Sequence, residues 1–356
     1  MRESSHLAKK TKKRKTNMNI GILGAGSWGT AIAILLANNG HDITLWSALE
    51  AEVKELTEKR ALPSRLPGAH LQDNIIVTGD LKKSCENKDL IVFAVASPFV
   101  RKTANTAAPL IDRKIPVVNV AKGIEEGSLM TLTEIIEDEF KKENGNPGNV
   151  SVLSGPSHAE EVSLGVPTTC VVGSKDKETA CLIQDAFMTE VFRVYTSPDI
   201  TGIEIGGSLK NVIALAAGIC DGLGYGDNTK AALMTRGINE ISRLGIAMGG
   251  KMETFAGLSG IGDLIVTCTS HHSRNWNAGN LIGKGYTADQ AMREVGQVVE
   301  GVFCAKAALE LAKKYEVDMP IVEQMNDILF NNKMAKTAVS ELFCRDKRVE
   351  NTHLKW

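Results

Sequence analysis

The sequence predicts an α/β domain built on a doubly wound, mainly parallel sheet, followed by an all-α domain. Short apolar runs rich in Val and Ile alternate with helical stretches in the first half of the chain. That alternation is typical of a sheet covered by helices on both faces. A glycine-rich turn follows the first of these runs. Between Gly206 and Ser340 few runs have strand character, and long Ala, Leu and Ile faces recur at helical spacing.

The opening strand, helix and strand form the most regular part of this pattern. Asn19–Leu23 reads as a strand, the apolar stretch TAIAILLANNG reads as a helix that ends at Gly40, and Asp42–Trp46 reads as the next strand. This order is the opening βαβ unit of a doubly wound sheet. Further strands are predicted to end near residues 94–96, near Val120, near Leu153 and near Val172.

Composition and charge exclude several classes of protein. The formal net charge of −1 provides no overall field that would draw the chain to nucleic acid or anionic lipid. No apolar run is expected to reach the length of a membrane span, so stable membrane insertion is not predicted. The seven cysteines contain no Cys-x-x-Cys pair. That spacing argues against a disulfide framework and favours a reducing, cytoplasmic location.

Residues 1–17 are predicted to be a basic, disordered extension, with the fold beginning at Asn19. No apolar segment follows the basic residues, so a signal peptide is not expected. Contact of this extension with nucleic acid or with a membrane is the alternative, and deletion of the residues before Met18 would abolish any binding to nucleic acid. The basic cluster consists of Lys9, Lys10, Lys12, Lys13, Arg14 and Lys15.

The glycine-rich turn has the pattern G-x-G-x-x-G and spans residues 24–29. Gly24 would allow a tight turn, Gly26 would let the backbone approach a pyrophosphate, and Gly29 would let helix and strand pack closely. Free N–H groups at the start of the helix would attract the phosphates. Because the motif follows a strand and opens a helix, it predicts a dinucleotide site.

The residue that contacts the ribose normally lies at the end of the second strand. An acidic residue there would favour NAD, and a basic one would favour NADP. Here the strand is followed by Ser47, Ala48, Leu49 and Glu50. Ser47 could bond to either form and Glu50 comes late, so the choice between NAD and NADP stays open.

Four later segments place polar side chains in unusual surroundings. Lys122 follows a predicted strand end, and Lys210 and Asn211 interrupt a long apolar helix. Ser157 and Glu160 have the spacing of a capping box, which predicts a helix that starts there. The fourth segment contains Asp263, the run Thr267–Ser270, and then Ser273, Arg274 and Asn275. The guanidinium of Arg274 would suit a phosphate. Cys268, His271 and His272 lack a second ligand pair at zinc spacing, so no metal is predicted.

Together these segments resemble the NAD(P)-dependent glycerol-3-phosphate dehydrogenase family of bacterial type. The stretches that carry the resemblance are GILGAGSWGTAIA, AKGIE, LSGPSHAEEV, GSLKNVIALAAGICDGLGYGDNTKAAL, TFAGLSGIGDLIVTCTSHHSRNWNAG and GQVVEG. They run from Gly21 to Gly301 in the family's order and spacing. The resemblance implies reversible hydride transfer between NAD(P)H and dihydroxyacetone phosphate, giving sn-glycerol 3-phosphate for glycerophospholipid synthesis. It also implies a homodimer.

The resemblance implies a role for each residue at a matching position. Lys210 would be the general acid and base, with Lys122 and Asp263 as its catalytic partners. Lys122 would also lower the proton affinity of Lys210 by repulsion. Cofactor contacts would come from Gly24, Gly26, Ser27, Trp28, Gly29, Lys122, Ala159, Arg274, Val298 and Glu300. Substrate contacts would come from Lys122, Gly155, Ser157, Lys210, Asp263, Ser273, Arg274 and Asn275, with Arg274 and Asn275 on the phosphate.

The chain also departs from the family's pattern at a few positions. Ala48 stands where a basic residue is often found, Ala96 where Pro is usual, and His158 where Phe is common. Ser208 and Ser259 stand where Ala is usual. None of these departures removes a proposed catalytic group. The rival hypotheses are a dehydrogenase of the same architecture acting on a hydroxy acid or a sugar acid phosphate, and a dinucleotide-binding regulator without turnover.

The predicted organisation has four segments. Residues 1–17 are the extension, 18–205 the Rossmann-like dinucleotide-binding domain, 206–345 the all-α substrate and catalytic domain, and 346–356 a tail.

Overall fold

A computed structural model describes residues 17–347 and 349–350. The predicted extension therefore lies almost entirely outside the described residues, as does most of the predicted tail. Within the described part, eight strands form one sheet. They are Asn19–Leu23 (β1), Asp42–Trp46 (β2), Ile75–Thr78 (β3), Leu90–Phe93 (β4), Val117–Asn119 (β5), Val150–Ser154 (β6), Thr168–Gly173 (β7) and Phe192–Ser197 (β8).

The strand order is β3-β2-β1-β4-β5-β6-β7-β8, with parallel pairing throughout except between β6 and β7. The mainly parallel, doubly wound sheet is therefore confirmed, as are the strands predicted from the apolar runs. The sequence analysis missed β3 and β8. Both are partly exposed, β8 with an alternating burial pattern, so neither forms the continuous apolar run of a buried strand.

The helices surround this sheet and then continue as a separate layer. They are Ser27–Asn38 (α1), Glu50–Lys59 (α2), Leu81–Cys85 (α3), Val100–Ala107 (α4), Leu132–Asn144 (α5), Ala159–Ser163 (α6), Lys177–Phe187 (α7), Ile200–Gly222 (α8), Asp227–Ala247 (α9), Met252–Phe255 (α10), Asp263–Thr269 (α11), Arg274–Gly283 (α12), Ala288–Val295 (α13), Glu300–Lys314 (α14), Pro320–Phe330 (α15) and Ala335–Phe343 (α16).

The sheet has a topological switch point between β1 and β4. The chain passes from β1 outward to β2 and β3, and then returns to the other side of β1 as β4. Connections after these two strands diverge, which leaves a crevice at the carboxyl ends of the strands. Ligands of open α/β sheets bind in such crevices. The glycine-rich turn after β1 lies at this point.

Helix α8 is the centre of the second layer. It begins six residues before Gly206, because the side chain of Asp199 accepts a hydrogen bond from the Gly202 N–H group and caps it. The predicted domain boundary at 205/206 consequently falls inside α8. By length and composition α8 could cross a membrane, contrary to the expectation that no run was long enough. All of its apolar window is buried inside the protein, as in a core helix.

Helices α8 and α12 touch backbone to backbone. A Cβ atom added at Gly218 would overlap the carbonyl oxygen of Trp276, and one added at Gly279 would overlap that of Leu215. Gly222 and Gly283 meet in the same way one turn further on. Only glycine permits so close an approach, so the relative position of the two helices is set by main-chain atoms.

Candidate functional site

The three glycines of the turn after β1 meet three different constraints. Gly24 has φ +118°, a conformation that L side chains rarely adopt, and its Cα faces the backbone of Ala94 and Val95. A Cβ on Gly29 would overlap the Gly24 carbonyl oxygen. A Cβ on Gly26 would meet no atom within 4 Å. Space therefore lies in front of Gly26, while Gly24 and Gly29 are needed for the turn itself.

Helix α1 starts directly behind this space. Its N-cap is Gly26, and no side chain caps it, so its first N–H groups are available to a ligand. Such a helix start attracts anions. The Trp28 indole N–H group donates to the carbonyl oxygen of Val120, 3.1 Å away. This bond ties the first turn of α1 to the end of β5, two residues before Lys122.

Lys122, Lys210 and Asp263 come together although they are far apart in the chain. The Lys122 ammonium group lies 2.6 Å from one carboxylate oxygen of Asp263, and the Lys210 ammonium group bonds to the other. Lys210 also donates to the Thr267 hydroxyl, 2.6 Å away. Lys210 and Asp263 are buried, whereas 18% of the Lys122 side chain is exposed. The cluster thus places two cations on one buried carboxylate.

The electrostatics of this cluster follow from its burial. Desolvation lowers the pKa of Lys210 to about 8, the Asp263 carboxylate opposes that shift, and the charge of Lys122 adds to it. Desolvation also works against ionisation of Asp263, but the two ammonium groups hold the pKa of this carboxyl below its ordinary value. Lys210 can consequently exchange a proton near neutral pH, and Asp263 stays charged.

The loop that bears Lys122 is fixed from two directions. The Ser208 hydroxyl on α8 donates to the Gly123 carbonyl oxygen, 3.1 Å away. The Gly155 carbonyl oxygen accepts from Lys122 at 3.1 Å and from the Ser157 hydroxyl at 2.9 Å. The predicted residues Gly155 and Ser157 therefore lie at the cluster.

The capping-box prediction for Ser157 is wrong. Helix α6 begins at Ala159, with His158 as its N-cap residue and no side-chain cap. The Ser157 hydroxyl bonds to Gly155 instead, because it faces the cluster rather than the helix. Ala159 and α6 pack against α1 in the core beside the glycine-rich turn. His158 is partly buried, and desolvation followed by the charge of Lys210 lowers its pKa to about 4, which keeps the ring neutral.

Asn211 and Asn275 form the floor beside Lys210. The Asn275 amide group donates to the Asn211 side-chain oxygen at 3.0 Å, and the Asn275 side-chain oxygen accepts from the Gly301 N–H group at 2.8 Å. Both asparagines are buried. Asn275 was expected to bond a phosphate, but its side-chain oxygen and one amide hydrogen are already used. Its observed role is to join α8, α12 and the start of α14.

Glu300 connects the helical layer to the sheet domain. It is the first residue of α14, and it accepts hydrogen bonds from the N–H group and the hydroxyl of Ser97, which follows β4. Burial raises the pKa of Glu300, while the Ser97 bonds and the charge of Arg274 act in the opposite direction. Glu300 therefore joins the start of α14 to the loop after β4, and Val298 precedes it by two residues in the chain.

Arg274 is the first residue of α12, one position after Ser273, whose side chain caps that helix by accepting from the Trp276 N–H group. Its side chain is exposed, and it forms no ion pair with another described residue. A guanidinium at a helix start, next to a buried Asn275, is well placed for a phosphate.

A groove of about 580 Å³ lies at the end of β2. Its walls come from the loop after β2, from one face of α2 and from the turn after β3. The lining residues are Ser47, Ala48, Glu50, Val53, Lys54, Thr57, Glu58 and Gly79. The groove is where the ribose of a dinucleotide lies in folds of this topology.

Two residues of the site had no role in the sequence analysis. Thr267 bonds Lys210, and its position four residues after Asp263 on a helix was a usable signal. Ser97 bonds Glu300, and it comes shortly after a predicted strand end. Among residues 17–347 and 349–350, no three His, Cys, Asp or Glu side chains are grouped so as to hold a metal ion. All seven cysteines are free thiols.

Comparison with known proteins agrees with this geometry. Residues 19–180 match the family described as NAD-dependent glycerol-3-phosphate dehydrogenase N-terminus, and residues 199–340 match the corresponding C-terminus. A glycerol-3-phosphate dehydrogenase (NAD(P)+) from Agathobacter rectalis is 57% identical over 95% of this chain and 99% of its own. One from Bacillus subtilis is 50% identical over 93% and 95%. The crystal structure of glycerol-3-phosphate dehydrogenase from Coxiella burnetii superposes with a TM-score of 0.88 at 37% identity, covering 92% of this chain and 99% of that one.

Proposed function

Because the chain belongs to the NAD-dependent glycerol-3-phosphate dehydrogenase family, we propose that it interconverts dihydroxyacetone phosphate and sn-glycerol 3-phosphate, with Lys210 as the proton donor and acceptor. The observation that carries the assignment of Lys210 is its buried ammonium group, which is held by Asp263 beside Lys122. A ketone that is reduced here gains negative charge on its oxygen, and a cationic donor must neutralise that charge.

The chain's own residues fit a nicotinamide dinucleotide. The space in front of Gly26 and the uncapped start of α1 suit a pyrophosphate. The proposed holders of the dinucleotide are Gly24, Gly26, Ser27, Trp28 and Gly29, with Lys122, Ala159, Arg274, Val298 and Glu300 toward the nicotinamide. When bound, the cofactor supplies or accepts the hydride.

Lys210 is suited to move the proton. With a pKa of about 8, it is largely protonated at neutral pH and can donate to the carbonyl oxygen. In the reverse direction the neutral amine accepts the proton of the alcohol. Asp263 fixes the direction of the Lys210 ammonium group, and Lys122 adds a second positive charge next to the developing oxyanion.

Arg274 is the proposed anchor for the substrate phosphate. Its planar guanidinium can form two parallel bonds to a phosphate, and the start of α12 adds a favourable partial charge. Gly155, Ser157, Ser273 and Asn275 complete the proposed pocket, with Asn275 acting through its bonds to Asn211 and Gly301.

The direct test is reduction of dihydroxyacetone phosphate by the purified full chain with NADH and, separately, with NADPH. Turnover with either cofactor supports the assignment, and unphosphorylated dihydroxyacetone serves as a control for the phosphate. Absence of turnover with both would overturn it. In that case hydroxy acids and sugar acid phosphates are the next substrates, and cofactor binding without any turnover would indicate a regulator.

Three further properties complete the proposal. A cytoplasmic enzyme fits the seven free thiols. The product is a precursor of glycerophospholipids, and no stable insertion into a membrane is expected because α8 is buried. We expect a homodimer, which light scattering coupled to size exclusion would detect as twice the chain mass of 38.3 kDa.

A further inference from the structure

The groove at the end of β2 has a charge pattern that discriminates between the two nicotinamide dinucleotides. These differ by one phosphate on the adenosine ribose, which carries between one and two negative charges at neutral pH. From the surroundings of Ser47, Ala48 and Glu50 we infer that this chain selects NAD(H) over NADP(H), with Glu50 as the determining residue. The inference rests on the proposed function only in taking the groove as the ribose site.

The loop after β2 offers no cation to a phosphate. Ala48 and Leu49 follow Ser47, and both are exposed and uncharged. The Ser47 hydroxyl donates to Glu52 at 2.6 Å and accepts from the Leu49 N–H group at 3.1 Å. Ser47 thus holds the loop in place, and its only hydrogen is directed at a carboxylate.

Arg65, which is linked to Ser47 through Glu52, already has a carboxylate partner. Arg65 donates to the second oxygen of Glu52 at 2.6 Å. Three quarters of the Arg65 side chain and most of Glu52 are buried. The charge of Arg65 is therefore balanced by Glu52, and a 2′-phosphate near Arg65 would compete with a carboxylate that this side chain already holds.

The walls of the groove carry more negative than positive charge. Glu50 and Glu58 line it together with Lys54, which gives a sum of −1 over the lining residues that the structure describes. The Lys54 ammonium group lies 4.0 Å from Glu58, and both side chains are mostly exposed. A pair of this kind adds little attraction for a phosphate in water.

The start of α2 could in principle attract an anion, but it already carries two carboxylates of its own. Glu50 and Glu52 lie in its first turn. Acidic side chains at that position interact favourably with the helix dipole and repel another anion. A ribose hydroxyl, by contrast, can donate to the exposed Glu50 carboxylate. The same groove therefore suits a free 2′-hydroxyl and opposes a 2′-phosphate.

The test is the dissociation constant of NADH and of NADPH, measured by titration calorimetry on the full chain without substrate. We expect NADH to bind at least about tenfold more tightly, the discrimination produced by roughly 1.4 kcal/mol. Ala48→Arg should narrow the ratio by improving NADPH binding, and Glu50→Gln should narrow it by weakening NADH binding. Glu55→Gln, on the same helix but outside the groove and paired with Lys59, is the matched control that should leave the ratio unchanged.

The outcomes separate this inference from the proposed reaction. Equal or tighter binding of NADPH would overturn the inference. It would also be overturned if Glu50→Gln changed the ratio of the two dissociation constants no more than Glu55→Gln does. A preference for NADH without turnover of dihydroxyacetone phosphate would support the inference and overturn the reaction. Binding of neither dinucleotide would overturn both. Because the discrimination is electrostatic at an exposed site, raising the salt concentration should reduce the ratio.

Discussion

The Lys122 ammonium nitrogen lies 2.6 Å from an oxygen of Asp263, whose other oxygen is bonded by Lys210. One buried carboxylate thus holds two lysines that come from different layers of the molecule, the loop after β5 and the middle of α8. The protonation state of one lysine therefore affects the electrostatic environment of the other, since both contact Asp263. Several consequences of this arrangement can be measured.

Replacement of Lys210 by Ala should lower kcat by roughly 10²–10⁴-fold, the usual effect of removing a general acid. Dissociation constants for the dinucleotide should change little, because Lys210 lies among α8 and α11 rather than at the glycine-rich turn. Lys306→Ala, which removes a half-exposed lysine on α14 that pairs with Glu126, is the control. Steady-state kinetics with dihydroxyacetone phosphate check the prediction, and wild-type kcat in Lys210→Ala would exclude its catalytic role.

The rate of ketone reduction should fall as the pH rises through about 8, because burial gives Lys210 a pKa near that value and reduction requires its protonated form. Oxidation of the alcohol should rise over the same interval. In Lys122→Met the like charge is gone, so the midpoint should move to higher pH. The shape of the kcat/KM profile is the measurement. Identical midpoints in wild type and variant would show that Lys122 does not influence Lys210.

Replacement of Arg274 by Ala should mainly raise KM for dihydroxyacetone phosphate, with a loss on the order of 2–4 kcal/mol in kcat/KM. The charge-assisted bonds to the phosphate account for that loss. Activity toward unphosphorylated dihydroxyacetone, though low, should be the same in both proteins. An unchanged KM for the phosphorylated substrate would place the phosphate elsewhere. Measurement of NADH binding shows in addition whether Arg274 contacts the cofactor.

Gly26→Ala should mainly weaken cofactor binding, whereas Gly29→Ala should mainly reduce stability. A Cβ at Gly26 meets only open space, so stability should stay within about 0.5 kcal/mol of wild type, while the methyl group occupies the space for the pyrophosphate and weakens NADH binding. A Cβ at Gly29 overlaps the Gly24 carbonyl, which should cost about 1–3 kcal/mol of stability. Urea unfolding and calorimetry distinguish the two effects. Equal destabilisation by both substitutions would contradict the proposed division of roles.

Glu240 should make stability depend on pH. It is buried and accepts hydrogen bonds from the Ile321 N–H group at 2.9 Å and the Val322 N–H group at 3.4 Å. Burial raises its pKa from the ordinary 4.5 to about 7. Between these values the unfolded chain releases the proton and the folded protein retains it, so this contribution to stability is present below pH 4.5 and is lost as the pH rises to about 7.

The variant that tests this is Glu240→Gln, which does not ionise. The Tm of the variant minus that of wild type should increase between about pH 4.5 and 7 and then stay constant, with a total change of up to about 3 kcal/mol in stability. Glu310→Gln, at an exposed position of α14, should show no such trend. A difference that does not vary with pH would mean that Glu240 is ionised throughout.

The sequence predicted the parts of the fold that depend on local patterns. Continuous apolar runs identified the buried strands, and the glycine spacing identified the turn before α1. It did not reveal β3, whose side chains are partly exposed, or the reversed direction of β7, since an apolar run has the same composition in either direction. The start of α8 was also missed, because the Asp199 cap precedes the change in composition.

The site was predictable residue by residue but not as an arrangement. Lys122, Lys210 and Asp263 were singled out as partners from the family resemblance, and the folded chain adds that each oxygen of the one carboxylate bonds a different lysine. Asn275 was expected in the substrate pocket from the family resemblance, and its bonds to Asn211 and Gly301 were not foreseen. Contacts between distant residues of this kind depend on tertiary packing, which short-range patterns do not encode.

The glycine contacts between α8 and α12 bear on the length of substrate that this enzyme can accept. Lys210 is carried by one helix and Arg274 by the other, and main-chain atoms of the two helices touch at Gly218 and Gly279. Main-chain atoms therefore set the relative position of the two helices that carry the proposed proton donor and the proposed phosphate anchor. A phosphorylated ketone with a longer carbon chain between its two functional groups should therefore fit this site less well. The packing of the two helices would in this way select the chain length of the substrate.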